Sequence, residues 1–201
     1  MQEFNPENLL IKTGFAELYE YENPEENLTG KFVTFSKDNP GKIVAAKPND
    51  YILGAVTISP LSLSNESYEW QGKYLKNEYG DTYIAQRDIA RGIKQYDTVA
   101  EMEFIATVKD VDFSGVVNPN FDHTKQYERR QIRNEWACVT LLGQVIVIDN
   151  GTCKPGEFCE LFKGKAIDKR GTVVPAKAKT ATTKFYVLNR ISETTVTILI
   201  K

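Results

Sequence analysis

Short runs of β-branched and aromatic residues, separated by turn residues, recur along the whole chain, and this pattern constrains the fold most. The first three runs occupy residues 31–36, 42–47 and 51–58. The sequences Asn39-Pro40-Gly41 and Pro48-Asn49-Asp50 separate them, and Pro, Gly, Asn and Asp are the residues that turns prefer. We therefore predict a strand for each run and a hairpin for the first pair.

The later runs continue the pattern. Residues 99–111 partly alternate between apolar and polar, and their β-branched content favours a strand over a short helix. Residues 136–149 form the most hydrophobic run, and Gly143 inside it predicts a bulge or a sharp bend. Asn150-Gly151, a strong tight-turn dipeptide, follows. The runs at 183–190 and 194–201 predict a final pair of strands, the last one buried on both faces or at an interface.

Three stretches lack this pattern and are predicted to be loops or insertions: residues 80–97, 112–134 and 165–182. A helix near 7–19 is the alternative for the N-terminal part, but Gly14 and the aromatic residues disfavour it. A chain of 201 residues suits one domain, or one domain with an insertion. The expected fold is mainly β: a compact β-sheet or barrel-like domain with long loop insertions.

Composition and charge exclude several classes of function. Hydrophobic residues make up 41% and charged residues 26%, values typical of globular proteins. A net charge of -2 argues against a nucleic-acid partner, which normally needs a basic face. The local basic cluster of Arg129, Arg130 and Arg133 is followed by Glu135, which favours a solvated face. Apolar runs such as 145–148 are far too short to span a membrane, so no membrane partner is expected.

The cysteines and the histidine do not suggest a metal or cofactor site. Three cysteines, Cys138, Cys153 and Cys159, fit buried thiols in a reducing compartment. The spacing of Cys153 and Cys159 is too loose for a zinc knuckle. His123, the single histidine, lies among turn residues and is expected at the surface, so no Ser-His-Asp triad is predicted. A glycine-rich phosphate loop is also missing from the sequence, and we expect no cofactor.

Residues 13–21 alternate aromatic and acidic side chains. A carboxylate such as that of Glu17, set among Phe15, Tyr19 and Tyr21, can act as a general acid or base. Glutamates on an exposed strand face are also ordinary, and the residues alone do not decide between these interpretations. Asp149, before Asn150-Gly151, is interpreted as a turn-starting residue.

An ordered set of segments runs from residue 13 to the end of the chain, and together they resemble one family. The segments are Phe-Ala-Glu-Leu-Tyr-Glu-Tyr (15–21), Gly-Lys-Phe-Val-Thr (30–34), Asp-Tyr-Ile-Leu-Gly-Ala-Val (50–56), Glu-Trp-Gln-Gly-Lys-Tyr-Leu (69–75), Tyr-Glu-Arg-Arg (127–130), Glu-Trp-Ala-Cys-Val (135–139), Leu-Gly-Gln-Val-Ile-Val-Ile-Asp-Asn-Gly-Thr-Cys (142–153) and Tyr-Val-Leu-Asn-Arg-Ile (186–191). The set resembles the peptidase G2 family, the C-terminal intramolecular chaperone of phage tailspikes and neck appendages.

The resemblance implies a β-rich homotrimeric domain that helps three chains to register and then cuts its own backbone. The family pattern places a small hydroxyl residue before an Asp, with a reacting Glu three residues after that Asp. On this chain those positions are Thr13, Gly14 and Glu17, so the scissile bond is Thr13–Gly14. Residues 1–13 become an upstream segment and 14–201 a single chaperone-like domain. Gly14 replaces the family Asp, and the loss of that carboxylate argues against autoproteolysis.

Two other functions remain open at this stage. The chain is alternatively an uncleaved virion component, such as a decoration, fibre or appendage trimer, either free-standing or part of a longer protein. A carbohydrate binder is the weaker third option, because aromatic faces suit sugars; the available rings are Tyr68, Trp70, Tyr74, Tyr79 and Tyr83.

The resemblance also implies partners and a location. The expected partners are two further copies of the chain, other phage virion proteins and a host surface. Arg129, Arg130 and Arg133 are candidate contact residues. The expected location is the virion, at the tail, an appendage or the capsid surface, after synthesis in the bacterial cytoplasm.

Overall fold

The computed structural model describes residues 13–97, 102–163, 169–176 and 185–201. Twelve strands run through these residues, which confirms the mainly-β prediction. The strands are β1 Thr13–Tyr21, β2 Phe32–Phe35, β3 Lys42–Ala45, β4 Gly54–Thr57, β5 Pro60–Ser64, β6 Ile84–Asp97, β7 Met102–Gly115, β8 Trp136–Ile148, β9 Phe158–Leu161, β10 Val173–Pro175, β11 Phe185–Arg190 and β12 Thr195–Ile200.

The described residues form two compact units, one from those within 13–67 and 128–201 and one from those within 68–127. In the second unit, β6 and β7 pair as a long antiparallel hairpin from Ile84↔Gly115 to Asp97↔Met102. The loop prediction for 80–97 is therefore wrong for most of that stretch. Its sequence is rich in charged residues, and a two-stranded ribbon can form without the apolar alternation on which the prediction depended. The loop predicted at 112–134 begins only after β7 ends.

Five strands of the first unit close into a barrel. β1 pairs with β8, β8 with β4, β4 with β2 and β2 with β3. β3 then pairs in parallel with the end of β1, at Glu20↔Lys42 and Tyr21↔Ile43, which completes the ring. The predicted hairpin is the antiparallel β2–β3 pair. β5 adds a parallel strand to the outer edge of β1, and the sequence patterns did not predict it. The segment from Thr13 is a strand and not the alternative helix.

β8 belongs to two sheets because it changes direction at Gly143. Its first half pairs with β1 and β4, and its second half pairs with β12, from Gly143↔Ile200 to Ile148↔Thr195. β12, β11, β9 and β10 continue the second sheet in antiparallel order. Gly143 has a φ of +98°, which glycine adopts at little cost. The predicted bend is therefore confirmed.

Each sheet has its own apolar core. The barrel interior contains Leu28, Val33, Ile43, Ala45, Val56, Ala137 and Val139. The second core contains Phe32, Val145, Val147, Cys153, Cys159, Val173, Val187, Val196 and Ile198, with Phe185 stacked on Phe32. In β12 the neighbours Val196, Thr197 and Ile198 are all buried, so this strand is covered on both faces, as predicted. In the predicted loop at 165–182, residues 173–175 form β10, whereas 164–168 and 177–184 lie outside the described residues.

Candidate functional site

The candidate cleavage bond, Thr13–Gly14, lies at the start of β1 between two neighbouring strands. Thr13 is opposite Pro60 of β5, and its backbone N–H donates to the carbonyl oxygen of Ser59 at 2.8 Å. Phe15 is opposite both Ser62 of β5 and Leu142 of β8. The bond is therefore part of a hydrogen-bonded sheet and not of a free loop.

The hydroxyl of Thr13 is buried in a cluster of three threonines. Its Oγ1 lies 3.0 Å from Oγ1 of Thr57 and accepts a hydrogen bond from Oγ1 of Thr140 at 3.3 Å. The same hydroxyl donates to the carbonyl oxygen of Ser59 at 3.2 Å. These three partners are neutral, and none of them can take the hydroxyl proton as a general base near pH 7. The cluster holds the side chain in place without activating it.

Gly14 packs directly on the bend of β8. A β-carbon at this position would lie 2.0 Å from the carbonyl oxygen of Leu142 and 2.9 Å from Cα of Gly143. A β-carbon on Gly143 would in turn lie 3.0 Å from Cα of Gly14. The register between β1 and β8 shifts at this point, from Phe15↔Leu142 to Ala16↔Thr140. This mutual approach of two backbones requires glycine at both positions and leaves no room for the aspartate of the family pattern.

Glu17 lies farther along the same extended strand. It is opposite Val139 of β8 and Ser64 of β5, and its Oε2 accepts a hydrogen bond from the hydroxyl of Tyr19 at 2.9 Å. A strand rises about 3.3 Å per residue, so Thr13 and Glu17 are separated by roughly 13 Å along β1. That distance exceeds the reach of a glutamate side chain. In this arrangement Glu17 cannot contact the Thr13 carbonyl of its own chain.

Tyr19 and Tyr21 follow Glu17 on the same face, against the barrel core. Burial, together with the hydrogen bond to Glu17, raises the pKa of Tyr19 to about 12. Burial also raises the pKa of Tyr21 to about 12, with smaller contributions from Cys138 and Glu26. Both phenols therefore stay neutral at physiological pH, and Tyr19 acts as a hydrogen-bond donor to the carboxylate.

The three arginines lie around a short 3₁₀ turn at Arg130–Ile132, and each contacts its own chain. Nη1 of Arg130 donates to Oδ1 and to the carbonyl oxygen of Asn65, both at 2.7 Å, and its guanidinium lies 4.3 Å from the ring centre of Trp136. Arg133 pairs with Glu135 at 3.1 Å, and its side chain is only 10% exposed, so the solvated-face prediction is wrong for this residue. The guanidinium of Arg133 lies 5.6 Å from the ring centre of Trp136, and the sequence does not show this contact.

The side chain of Arg129 is the most accessible of the three arginine side chains. It is 58% exposed, and its Nε lies 3.9 Å from Oε1 of Glu66. A surface ion pair of this kind contributes little to stability. Arg129 therefore remains available for contact with another protein.

An ion pair that the sequence did not predict joins Asp149, which directly follows β8, to Arg190 at the end of β11, and the Asp149 side chain in it is fully buried. The carboxylate of Asp149 accepts from both terminal nitrogens of Arg190, with an Nη2–Oδ2 distance of 2.7 Å, and from the backbone N–H of Cys153 at 3.0 Å. Burial by itself would raise the pKa of Asp149, but the hydrogen bonds from Arg190 and from Cys153 outweigh it and hold the pKa below its usual range. Because Asn150-Gly151 follows it, Asp149 was interpreted as a turn-starting residue. Its partner Arg190 is 41 residues away in the sequence, so only the structure shows the ion pair.

The remaining candidates are simple to place. His123 is exposed at the surface, as predicted, with its ring 5.7 Å from that of Phe121. Across the described ranges, no three His, Cys, Asp or Glu side chains come together in a way that could hold a metal ion. The same ranges contain no helix that is long and apolar enough to cross a membrane.

Comparisons with known proteins identify the family of the chain. The family model of peptidase G2, the IMC autoproteolytic cleavage domain, matches residues 6–199. The preneck appendage protein of Bacillus phage PZA is 32% identical over 161 residues, and the pre-neck appendage protein of Bacillus phage phi29 is 31% identical over 161 residues. Each match covers 80% of this chain but only 16% of the relative. The chain therefore spans about one sixth of the length of these relatives.

Two crystal structures share the fold. The C-terminal fragment of bacteriophage phi29 gene product 12 superposes with a TM-score of 0.57 at 27% identity, covering 93% of this chain and 99% of the fragment. The pre-mature form of that gene product gives a TM-score of 0.59 at 27% identity, covering 93% of this chain and 21% of that one. With a family match over nearly the whole sequence and this structural likeness, the chain belongs to the peptidase G2 family of IMC autoproteolytic cleavage domains.

Proposed function

We propose that this chain is the C-terminal chaperone domain of a phage appendage or tailspike protein, that it assembles as a trimer, and that its Thr13–Gly14 bond stays intact. The chaperone role is supported by the family and by the relatives, which are phage appendage proteins. The match to nearly all of a C-terminal fragment supports a C-terminal position. The domain would serve in the virion, after synthesis in the host cell.

The observation that carries the uncut state is the contact between Gly14 and Gly143. The family pattern needs a carboxylate directly after the cut, and here the position is filled by a glycine whose β-carbon would overlap the Leu142 carbonyl oxygen. The separation of Glu17 from the Thr13 carbonyl along one extended strand points the same way. Both features make β1 a structural strand of the barrel.

Intact mass spectrometry tests the uncut state. We expect wild type, Glu17→Ala and the control Glu20→Ala to keep their full-length mass through prolonged incubation. Glu20 is a matched control because it lies on the same strand and pairs with Lys42 on the barrel surface. We also expect Gly14→Asp to remain uncut, because the residue cannot be accommodated. A wild-type product that begins at Gly14, absent from Glu17→Ala but present in Glu20→Ala, would overturn the proposal.

That contrary outcome defines the second candidate, self-cleavage, which the retained Glu17 favours. Because the carboxylate cannot reach the bond of its own strand, cleavage would require Glu17 from another copy of the chain or a rearranged β1. Cleavage between copies would slow on dilution below the concentration at which the oligomer forms.

Trimer assembly is supported by exposed apolar side chains beside the candidate bond. Phe15 and Leu142 lie opposite each other and are 40% and 55% exposed, and Ile58 and Leu61 nearby are also exposed. Exposed apolar residues concentrated in one region suit a protein contact. We expect a mass of three chains in size-exclusion chromatography with light scattering, and dissociation for Leu142→Glu. The control Ile191→Glu, at an exposed turn outside this region, should stay trimeric; a wild-type monomer at micromolar concentration would refute the assembly.

Further partners of the trimer would be other virion proteins and a host surface. We propose Arg129 as the contact residue of the basic cluster, because Arg130 and Arg133 are engaged with Asn65, Glu135 and Trp136. Replacing Arg130 or Arg133 would disturb the fold, so the informative substitution is Arg129→Ala, scored by incorporation into the assembled particle.

A further inference from the structure

The exposed turn that follows β8 contains the only asparagine in the chain that precedes a glycine, in the dipeptide Asn150-Gly151. Asn150, Gly151 and Thr152 are all exposed. Glycine has no side chain, so its backbone nitrogen can approach the side-chain carbonyl carbon of a preceding asparagine with little steric hindrance. The turn therefore presents both reacting groups of a cyclisation to solvent.

Hydrogen bonds on both sides of this turn fix its position on the second sheet. The N–H of Asn150 donates to the carbonyl oxygen of Val173 at 3.2 Å. The N–H of Cys153 donates to the buried carboxylate of Asp149 at 3.0 Å. Gly151 has a φ of +85°, which glycine adopts at little cost. The exposed part of the turn is therefore short, and the sheet below it sets its geometry.

Thr152 contacts the side-chain carbonyl group of Asn150. Its hydroxyl donates to Oδ1 of Asn150 at 2.7 Å, and its N–H donates to the same oxygen at 3.3 Å. Two donors on one carbonyl oxygen draw electron density away from the carbon, and they stabilise the negative charge that develops on the oxygen when the carbon is attacked. The same two bonds fix the orientation of the amide group.

We propose that Asn150 is a self-modification site, at which the backbone nitrogen of Gly151 attacks Cγ of Asn150 while Thr152 stabilises the developing oxyanion. A bond forms between that nitrogen and Cγ, and the bond from Cγ to Nδ2 breaks. The proton of the Gly151 nitrogen passes through water to Nδ2, which leaves as ammonia. This step produces a five-membered succinimide ring.

Water completes the reaction by opening the ring. It adds to one of the two ring carbonyl groups and breaks the bond from that carbon to the Gly151 nitrogen, which recovers a proton. Opening at Cγ leaves an aspartate in a normal chain, and opening at the backbone carbonyl leaves an isoaspartate, which adds one methylene group to the backbone. In both products a new carboxylate directly follows Asp149. The site involves neither β1 nor the exposed apolar residues beside it, so it is independent of the proposed chaperone function.

The test is prolonged incubation of the full chain in mildly alkaline buffer, followed by measurement of released ammonia, intact mass and peptide mapping. We expect the succinimide first, and then aspartate and isoaspartate at position 150. Asn49 and Asn65 are internal controls that should remain unmodified, because both are exposed and have a positive φ but precede Asp50 and Glu66. An Asn150 that stays intact, or that reacts no faster than these controls, would overturn the proposal.

Two variants test the assigned chemistry. Asn150→Gln should suppress ammonia release, because its longer side chain would have to close a larger ring. Thr152→Val keeps the shape of an exposed side chain and removes the hydroxyl donor. We expect ring formation in this variant to slow about tenfold, because one hydrogen bond to a developing charge is lost.

A measurement in urea separates the role of the fold from that of the dipeptide. In the unfolded chain Thr152→Val should form the ring at the rate of wild type, because the geometry of the turn is lost. Circular dichroism checks that the variant is folded in buffer. A folded Thr152→Val that reacts as fast as wild type, or faster, would overturn the role of the hydroxyl, which would then only hold the side chain in place.

Discussion

Replacing Gly14 with alanine tests the contact on which the proposed uncut state depends. The new β-carbon would lie 2.0 Å from the carbonyl oxygen of Leu142, well inside the 3.4–4 Å of an ordinary contact. The obstacle is backbone and not a flexible side chain, so β1 or β8 must move. Overpacking of this kind costs about 1–3 kcal/mol, and we expect about 3 kcal/mol here because neither strand can shift without losing ladder bonds.

Two further glycines calibrate the measurement. Gly54→Ala should behave like Gly14→Ala, since its β-carbon would lie 2.2 Å from the carbonyl oxygen of Thr140 on the other edge of β8. Gly41→Ala meets no atom within 4 Å, but it has a φ of +92° and should lose about 1 kcal/mol from backbone strain alone. Thermal unfolding followed by circular dichroism should show midpoints lower by about 9 °C for Gly14→Ala and about 3 °C for Gly41→Ala.

The outcome that refutes this reasoning is specific. If Gly14→Ala unfolds within the error of Gly41→Ala, while Gly54→Ala is strongly destabilised, the approach of β1 to β8 at Gly143 is not tight. Gly14 would then be a replaceable residue, and the argument against an aspartate at this position would fail with it.

Two pH-dependent predictions follow from the ionisable groups of the same unit. Asp149→Asn breaks the pair with the partly exposed Arg190 and should cost about 2 kcal/mol near neutral pH, because hydrogen bonds to a charged group are lost. The pKa of Asp149 is lowered by folding, so its contribution is present above about pH 4 and is lost as the pH falls further; acid unfolding of Asp149→Asn should lack this step. The pKa values of Tyr19 and Tyr21 are raised to about 12, so their contribution is complete below the unfolded pKa of about 10 and is lost as the pH rises toward 12. Between these two pH values, the free energy of unfolding of Tyr21→Phe should fall less steeply with pH than that of wild type, as measured by denaturant titrations at fixed pH. A variant that loses stability as steeply as wild type would contradict the assignment.

The strands that the sequence predicted share one property: each contains more apolar residues than a solvent-exposed loop normally contains. β2, β3, β4, β8 and β12 were found for that reason, because their burial in a core leaves a direct trace in composition. β6 and β5 were missed because neither has the continuous apolar run on which the prediction depended. The former is a charged ribbon strand, and the latter is a short edge strand that begins with Pro60.

The candidate site shows the same division. The order of residues at 13–17 was enough to predict a candidate bond and a candidate glutamate, since the spacing of a motif is a property of the sequence. The sequence did not predict the distance between these residues, because a strand and a helix place residues four apart at very different distances. The extended conformation of β1 follows from its pairing with β5 and β8, which are far away along the chain.

By itself, the sequence determined the fold class, the family and the bend at Gly143, because each depends on local composition or on the order of motifs. Only the tertiary structure decided that Gly14 and Gly143 pack on each other and that Asp149 pairs with Arg190. These are contacts between segments that are distant in sequence. Such contacts are fixed by chain packing and strand register, which no local pattern encodes.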